Sequence, residues 1–150
     1  MTAHSSITEC NFYGLHFGDY NFDGYLDIAL NIRQGGNRDR GDFYYWLWDN
    51  SLEQFVFNEQ LSLQMRNNGS IVIHQERQLV VSWFSHVGGR HHTYYKYEDG
   101  IFTPVEIYFW ELYNERSPPE NWNPPDGEFN VRFTLKDLAG GTQEIYYGYW

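Results

Sequence analysis

Hydrophobic and polar positions alternate with a period of two along much of this chain, the repeat of a strand whose successive side chains face opposite ways. Phe129, Val131, Phe133 and Leu135 interleave with Asn130, Arg132, Thr134 and Lys136, which predicts a strand with one buried face. Ile28, Leu30 and Ile32 keep the same period after a short strand predicted over residues 12–17. Residues 42–49, Asp-Phe-Tyr-Tyr-Trp-Leu-Trp-Asp, are apolar on both parities, as expected of a central strand covered on both sides. Residues 55–57 read as strand, whereas 58–65 fit either one helical turn or extended chain. Two hairpins follow. One joins 70–75 to 78–85 around Glu76 and Arg77; the other joins 93–97 to 101–110 around Glu98-Asp99-Gly100, where Asp-Gly favours a tight turn. Four prolines, Pro118, Pro119, Pro124 and Pro125, forbid regular ladder bonding there and predict a surface loop over 114–127. A last hairpin over 128–150 turns at Ala139-Gly140-Gly141. It is expected to pack back on the main sheet, because a lone hairpin is marginal in water.

The expected fold is all-β: an antiparallel meander resembling a β-propeller blade or a small sandwich. The 150 residues are read as one domain, with the main sheet over 12–113, the proline-rich loop over 114–127 and the C-terminal hairpin beyond. Aromatic residues make up 20% of the chain, with 13 Tyr, 11 Phe and 6 Trp, and these favour pleated, half-buried surfaces. Ten basic against twenty acidic residues give a formal charge of -10. That balance repels nucleic acid and anionic membrane and favours a cationic partner or a metal. Cys10 is the single cysteine, so no disulfide is expected within these residues. No stretch is long and apolar enough for a transmembrane helix, and the first residues lack the basic and apolar segments of a signal peptide.

One stretch carries metal chemistry. In Asp19-Tyr20-Asn21-Phe22-Asp23-Gly24-Tyr25-Leu26-Asp27, Asp19, Asn21, Asp23 and Asp27 stand at the first, third, fifth and ninth positions, with glycine at the sixth. A tight turn of this kind aims four oxygen side chains and the Tyr25 carbonyl at one hard cation, so bound calcium is the expectation. The twelfth position, a bidentate Glu in the helix-loop-helix calcium sites, is Leu30, and the loop feeds a strand. The same residues also suit a plain acidic turn, since Asn, Asp and Gly all form turns.

Other chemistry is sparse. No G-x-S-x-G, H-E-x-x-H or phosphate-cradling loop occurs. His86, His91 and His92 cluster but lack a recognised ligand spacing, and adjacent strand residues face opposite ways. Alternation assigns Trp46, Trp48, Trp83, Phe84 and Phe109 first to the core. Trp122, between two prolyl pairs, stands with Arg90 and Tyr94 as a candidate interface anchor.

The run Gly14-Leu15-His16-Phe17-Gly18-Asp19-Tyr20-Asn21-Phe22-Asp23-Gly24-Tyr25-Leu26-Asp27-Ile28 resembles the G-x-x-x-x-D-F-N-F-D-G-x-x-D-L signature of a bacterial envelope family. That family includes immunity proteins against secretion-system peptidoglycan hydrolases and is structurally similar to periplasmic lysozyme inhibitors. Residues 45–48, 55–61 and 94–100 extend the likeness over about residues 12–107. The resemblance implies structural calcium in the loop, an extracytoplasmic location, and a non-enzymatic protein that inhibits a lysozyme-like peptidoglycan hydrolase. Such an inhibitor needs a rigid sheet presenting a protruding loop, and an acidic surface suits a cationic enzyme. Ser85, His86, Gly88, Gly89, Arg90, Tyr94 and Trp122 are the expected partner-binding residues, with the basic loop 33–41 as second choice. A carbohydrate-binding surface module, using exposed aromatics on glycan, is the competing reading. A glycoside hydrolase would need two carboxylates facing one cleft.

Overall fold

The computed structural model describes residues 10–12, 14–34, 41–65, 71–86, 88–114, 119–124 and 129–148. The chain start, Tyr13, residues 35–40 of the basic loop, residues 66–70, Val87, parts of the proline-rich segment and the last two residues lie outside the described residues.

Strands β1 Cys10–Phe12, β2 Leu15–Gly18, β3 Asp27–Gln34, β4 Gly41–Asp49 and β5 Gln54–Phe57 form one sheet. The second contains β6 Val72–His74, β7 Leu79–His86, β8 Gly89–Glu98, β9 Ile101–Leu112, β10 Val131–Asp137 and β11 Thr142–Gly148. Both sheets are antiparallel, and both follow chain order from one edge to the other. The fold is therefore all-β, and the meander runs twice. The single main sheet expected over 12–113 is split between the two layers, and the C-terminal hairpin continues the second sheet, with β10 pairing β9 over its whole length.

The core lies between the layers. Ala29, Phe43, Tyr45 and Leu47 of the first sheet pack with Val80 and Phe102 of the second, and Tyr95 and Tyr97 close the edge of this cluster. Alternation places Tyr44, Trp46 and Trp48 on the opposite face of β4, where they are only half-buried. Trp46, Trp48, Trp83, Phe84 and Phe109 all fall outside the buried core, contrary to their first assignment. A strand apolar on both parities cannot reveal which parity meets the other layer. At Gly18 the layers approach closely: a Cβ there would lie 2.5 Å from Ile73 Cδ1.

After β5 the chain runs through residues 58–65, for which the sequence pattern was ambiguous. They contain one wide helical turn, Gln60–Gln64. The Gln60 side-chain amide donates to the Phe102 carbonyl and accepts from the Phe102 N–H, occupying backbone groups as a neighbouring strand would. Ser62 Oγ accepts from the Tyr45 N–H at 2.9 Å, and the Ile71 N–H donates to Tyr45 Oη at 3.1 Å. Near the chain start, the one strand expected over 12–17 is a hairpin, β1 against β2. Gly14, at φ +85°, supplies the left-handed backbone that lets this turn form. Pro104 sits inside β9 at a register shift opposite Tyr94 and Tyr95, where a bulge removes the need for its missing N–H.

Candidate functional site

The acidic loop connects β2 to β3. Gly24 at φ +90° and Phe22 at φ 62° fold it tightly enough for side chains to cap its own amides. Asp19 accepts from the Asp23 N–H at 3.1 Å and the Gly24 N–H at 3.0 Å. Asp23 accepts from the Tyr25 N–H at 2.9 Å and the Asn21 amide at 2.8 Å, while Asn21 Oδ1 accepts from the Asp23 N–H at 3.3 Å. Asp27 reaches further: one oxygen accepts from the Tyr20 N–H and the other from the Trp48 N–H, both at 2.8 Å. It thereby ties the loop to β4 of the first sheet.

Two of these carboxylates are buried, Asp19 with 4% of its surface exposed and Asp27 with none. None of the described ion pairs includes them. Burial pushes the Asp27 carboxyl up to about 7, the Asp23 and Asp19 charges add to the effect, and the Trp48 and Tyr20 amides oppose it. Asp19 is raised too, by burial first and then by Asp23. Buried acids that raise one another without a basic partner form a donor set that a divalent cation would neutralise. Each oxygen that accepts one amide retains a second lone pair. Asp19, Asn21, Asp23, Asp27 and the Tyr25 carbonyl are thus suitable in kind for calcium. Among the described residues, no three His, Cys, Asp or Glu side chains are already gathered as a metal cluster.

The expected partner-binding residues separate into two groups. Ser85 and Arg90 face each other across β7 and β8 just before the turn, where His86 pairs Gly89 and Gly88 adopts φ +89°. Arg90 Nε donates to Ser85 Oγ at 3.1 Å, and its guanidinium lies 5.0 Å from the Trp83 ring. The turn is fastened to β9 by the Leu112 N–H, which donates to the Gly88 carbonyl at 2.7 Å. Trp122 comes to the same end of the sheet but against its other face. Its ring lies 5.2 Å from Tyr113, 5.5 Å from Tyr147 and 5.8 Å from the Arg132 guanidinium. Arg132 also donates to the carbonyls of Glu120 and Asn121 at 2.8 and 3.2 Å and pairs with Glu111 at 2.6 Å. The described part of the proline-rich loop, residues 119–124, is therefore folded onto the sheet. Tyr94 is not at this end: it lies further along β8, with the Arg77 guanidinium 5.3 Å from its ring and His74 at 5.9 Å.

The outer face of the first sheet was missed in reading the sequence. Tyr44, Trp46 and Phe57 meet edge to face at 5.7 to 6.3 Å, and Trp48 meets Phe55 at 5.0 Å. Leu30, Ile32, Phe55 and Phe57 on this sheet are each at least 38% exposed. The signal was present in residues 42–49 as apolarity on both parities, which admits an exposed aromatic face as well as double cover.

No family model and no curated protein matches this sequence. Among solved structures, a Xanthomonas type IV secretion system related protein superposes with a TM-score of 0.62 at 17% identity, over 91% of this chain and 59% of that one. The chain thus spans less than two thirds of that protein, and what the two share is the fold of the two sheets.

Proposed function

We propose that this chain is a non-enzymatic, calcium-stabilised protein of the bacterial envelope that inhibits a lysozyme-like peptidoglycan hydrolase. The observation that carries this reading is the β7–β8 turn. It is narrow, braced by β9, and bears Arg90 supported by Ser85 and Trp83. Glycoside hydrolases of this class work with a pair of carboxylates in a sugar cleft, and a rigid tip carrying an exposed guanidinium complements such a cleft. The surrounding charge of -10 steers a cationic enzyme towards the inhibitor. The fold likeness to a secretion-system related protein accords with an extracytoplasmic role.

In this account calcium is structural. It is held by Asp19, Asn21, Asp23, Asp27 and the Tyr25 carbonyl, and it supplies the positive charge that lets a buried acidic turn close. Chelation should lower the melting temperature, and restored calcium should recover it; a melting curve indifferent to both would remove the metal from the account. Binding is tested by gel filtration with purified lysozyme-type hydrolases. A complex that Arg90→Glu abolishes supports the inhibitor, whereas the absence of any complex counts against it.

The exposed aromatic face of the first sheet favours a second reading, a glycan-binding module in which Trp46, Trp48 and Phe57 present rings to sugar. Calorimetric titration with peptidoglycan fragments separates the two, because a module binds glycan with no enzyme present.

A further inference from the structure

An open sheet ends in edge strands, whose outward N–H and C=O groups have no ladder partner. Four described strands hold that place: β1 and β5 in the first sheet, β6 and β11 in the second. Three of them are short, with three, four and three residues, which limits what can pair along them. β11 has seven. It also lacks the other features that blunt an edge, such as proline, lysine or a bulge. Its residues, Thr-Gln-Glu-Ile-Tyr-Tyr-Gly, carry a single charge at Glu144, and they pair with β10 in unbroken register. Residues 142–146 are exposed, Ile145 by 46% and Tyr146 by 55%, and no described strand runs along their outer side.

We propose that β11 pairs with β11 of a second copy of this chain, antiparallel about a twofold axis at Ile145. Identical strands paired in this way make an isologous contact, which closes at two subunits. Ile145 is the middle residue of Thr142–Gly148, so an axis there uses the whole strand. Ile145 then meets Ile145 of the second copy, Glu144 lies opposite Tyr146, and Gln143 opposite Tyr147. An axis at Glu144 would instead set two carboxylates directly opposite, which is destabilising. Each Glu144 carboxylate already accepts from the Tyr146 hydroxyl of its own chain, so it enters the pairing partnered. This match of β11 to itself favours a second copy over a foreign extended segment, which would use the same backbone groups without it. The charge of -10 on each chain opposes association, and one strand pair covers a small area, so the dimer belongs to the weak class. Because the pairing reverses strand direction, the two β7–β8 turns come to opposite ends of the joined sheet. The contact uses neither Arg90 nor the acidic loop, so its failure and that of the hydrolase reading are distinguishable.

The test is sedimentation velocity of the intact, calcium-supplied protein from about 10 to about 300 µM at physiological salt. The average mass should rise with concentration towards that of two chains. Ile145→Lys, which opposes two ammonium groups at the axis, should weaken association by about fivefold or more. Leu52→Lys adds the same charge at an exposed position of the β4–β5 turn and should change it by less than about twofold. Register is read by mild oxidation in a Cys10→Ser background. Ile145→Cys should link to itself, whereas Gln143→Cys, whose two copies lie about 14 Å apart along the paired strands, should not. A monomer at every concentration would overturn the proposal. So would a dimer that Ile145→Lys spares, equal cross-linking at both positions, or a dimer that Phe57→Glu alone dissolves, which would move the contact to the aromatic face of the first sheet. Melting curves of each variant establish that loss of association is not loss of folding.

Discussion

At the scale of single residues, the strongest constraint is Asp27, fully buried with each oxygen on a different backbone amide. Asp27→Ala leaves the Tyr20 and Trp48 amides without that acceptor, and each orphaned donor costs about 1–3 kcal/mol. The expected loss of stability, at least about 2 kcal/mol in urea unfolding, is checked against Asp23→Ala, whose residue is exposed and should lose less. His92 supplies a pH dependence of opposite sign to that of the raised Asp27 carboxyl. Its Nε2 is buried without a hydrogen-bond partner among the described groups, and burial, then Arg90 and His91, hold the ring below its ordinary value. The unfolded chain therefore binds the proton more readily. Stability associated with His92 is complete above the unfolded value of about 6.5 and falls as pH drops through the lower folded value. His92→Phe should flatten the urea midpoint between pH 8 and 5 relative to wild type; an unchanged slope would contradict this. The oxygen-bearing positions of the acidic loop were legible in the sequence because their spacing is local. That Asp27 reaches Trp48, far along the chain, was not.

Strands and turns divide in the same way. The alternation from Phe129 to Leu135 and the Asp99-Gly100 turn located β10 and the β8–β9 hairpin, because each is written in neighbouring residues. The break between the sheets was not legible, since it depends on Gln60 meeting Phe102 and on Ser62 meeting Tyr45. The described part of the proline-rich segment, residues 119–124, joins no ladder, yet nothing local announced that Arg132, one of the polar residues in an alternating strand, would gather it. Arg132 is 8% exposed, pairs with Glu111 and donates to two loop carbonyls. Arg132→Met keeps the stem but removes those bonds. Stability should fall by about 2 kcal/mol, and Trp122 should become more solvent-exposed, read as a red-shifted tryptophan emission and confirmed in a Trp122→Phe background. Unaltered emission would mean that the loop holds itself.

For the molecule as a whole, two successive meanders share one core. The acidic loop fastens the β2–β3 end of the first sheet, and the β7–β8 turn projects from the second with Trp122 folded close by. Composition had indicated an acidic, aromatic, all-β protein. The choice between a propeller blade and a sandwich rested on which side chains meet across the layers, and no one-dimensional pattern contains that. The most direct measurement is the turnover of peptidoglycan by purified lysozyme-type hydrolases as this protein is titrated in, with calcium present. The account predicts that activity of the matching enzyme falls to a plateau at one equivalent and that Arg90→Glu, folded by its melting curve, restores it. Full activity across the panel at saturating protein would contradict it.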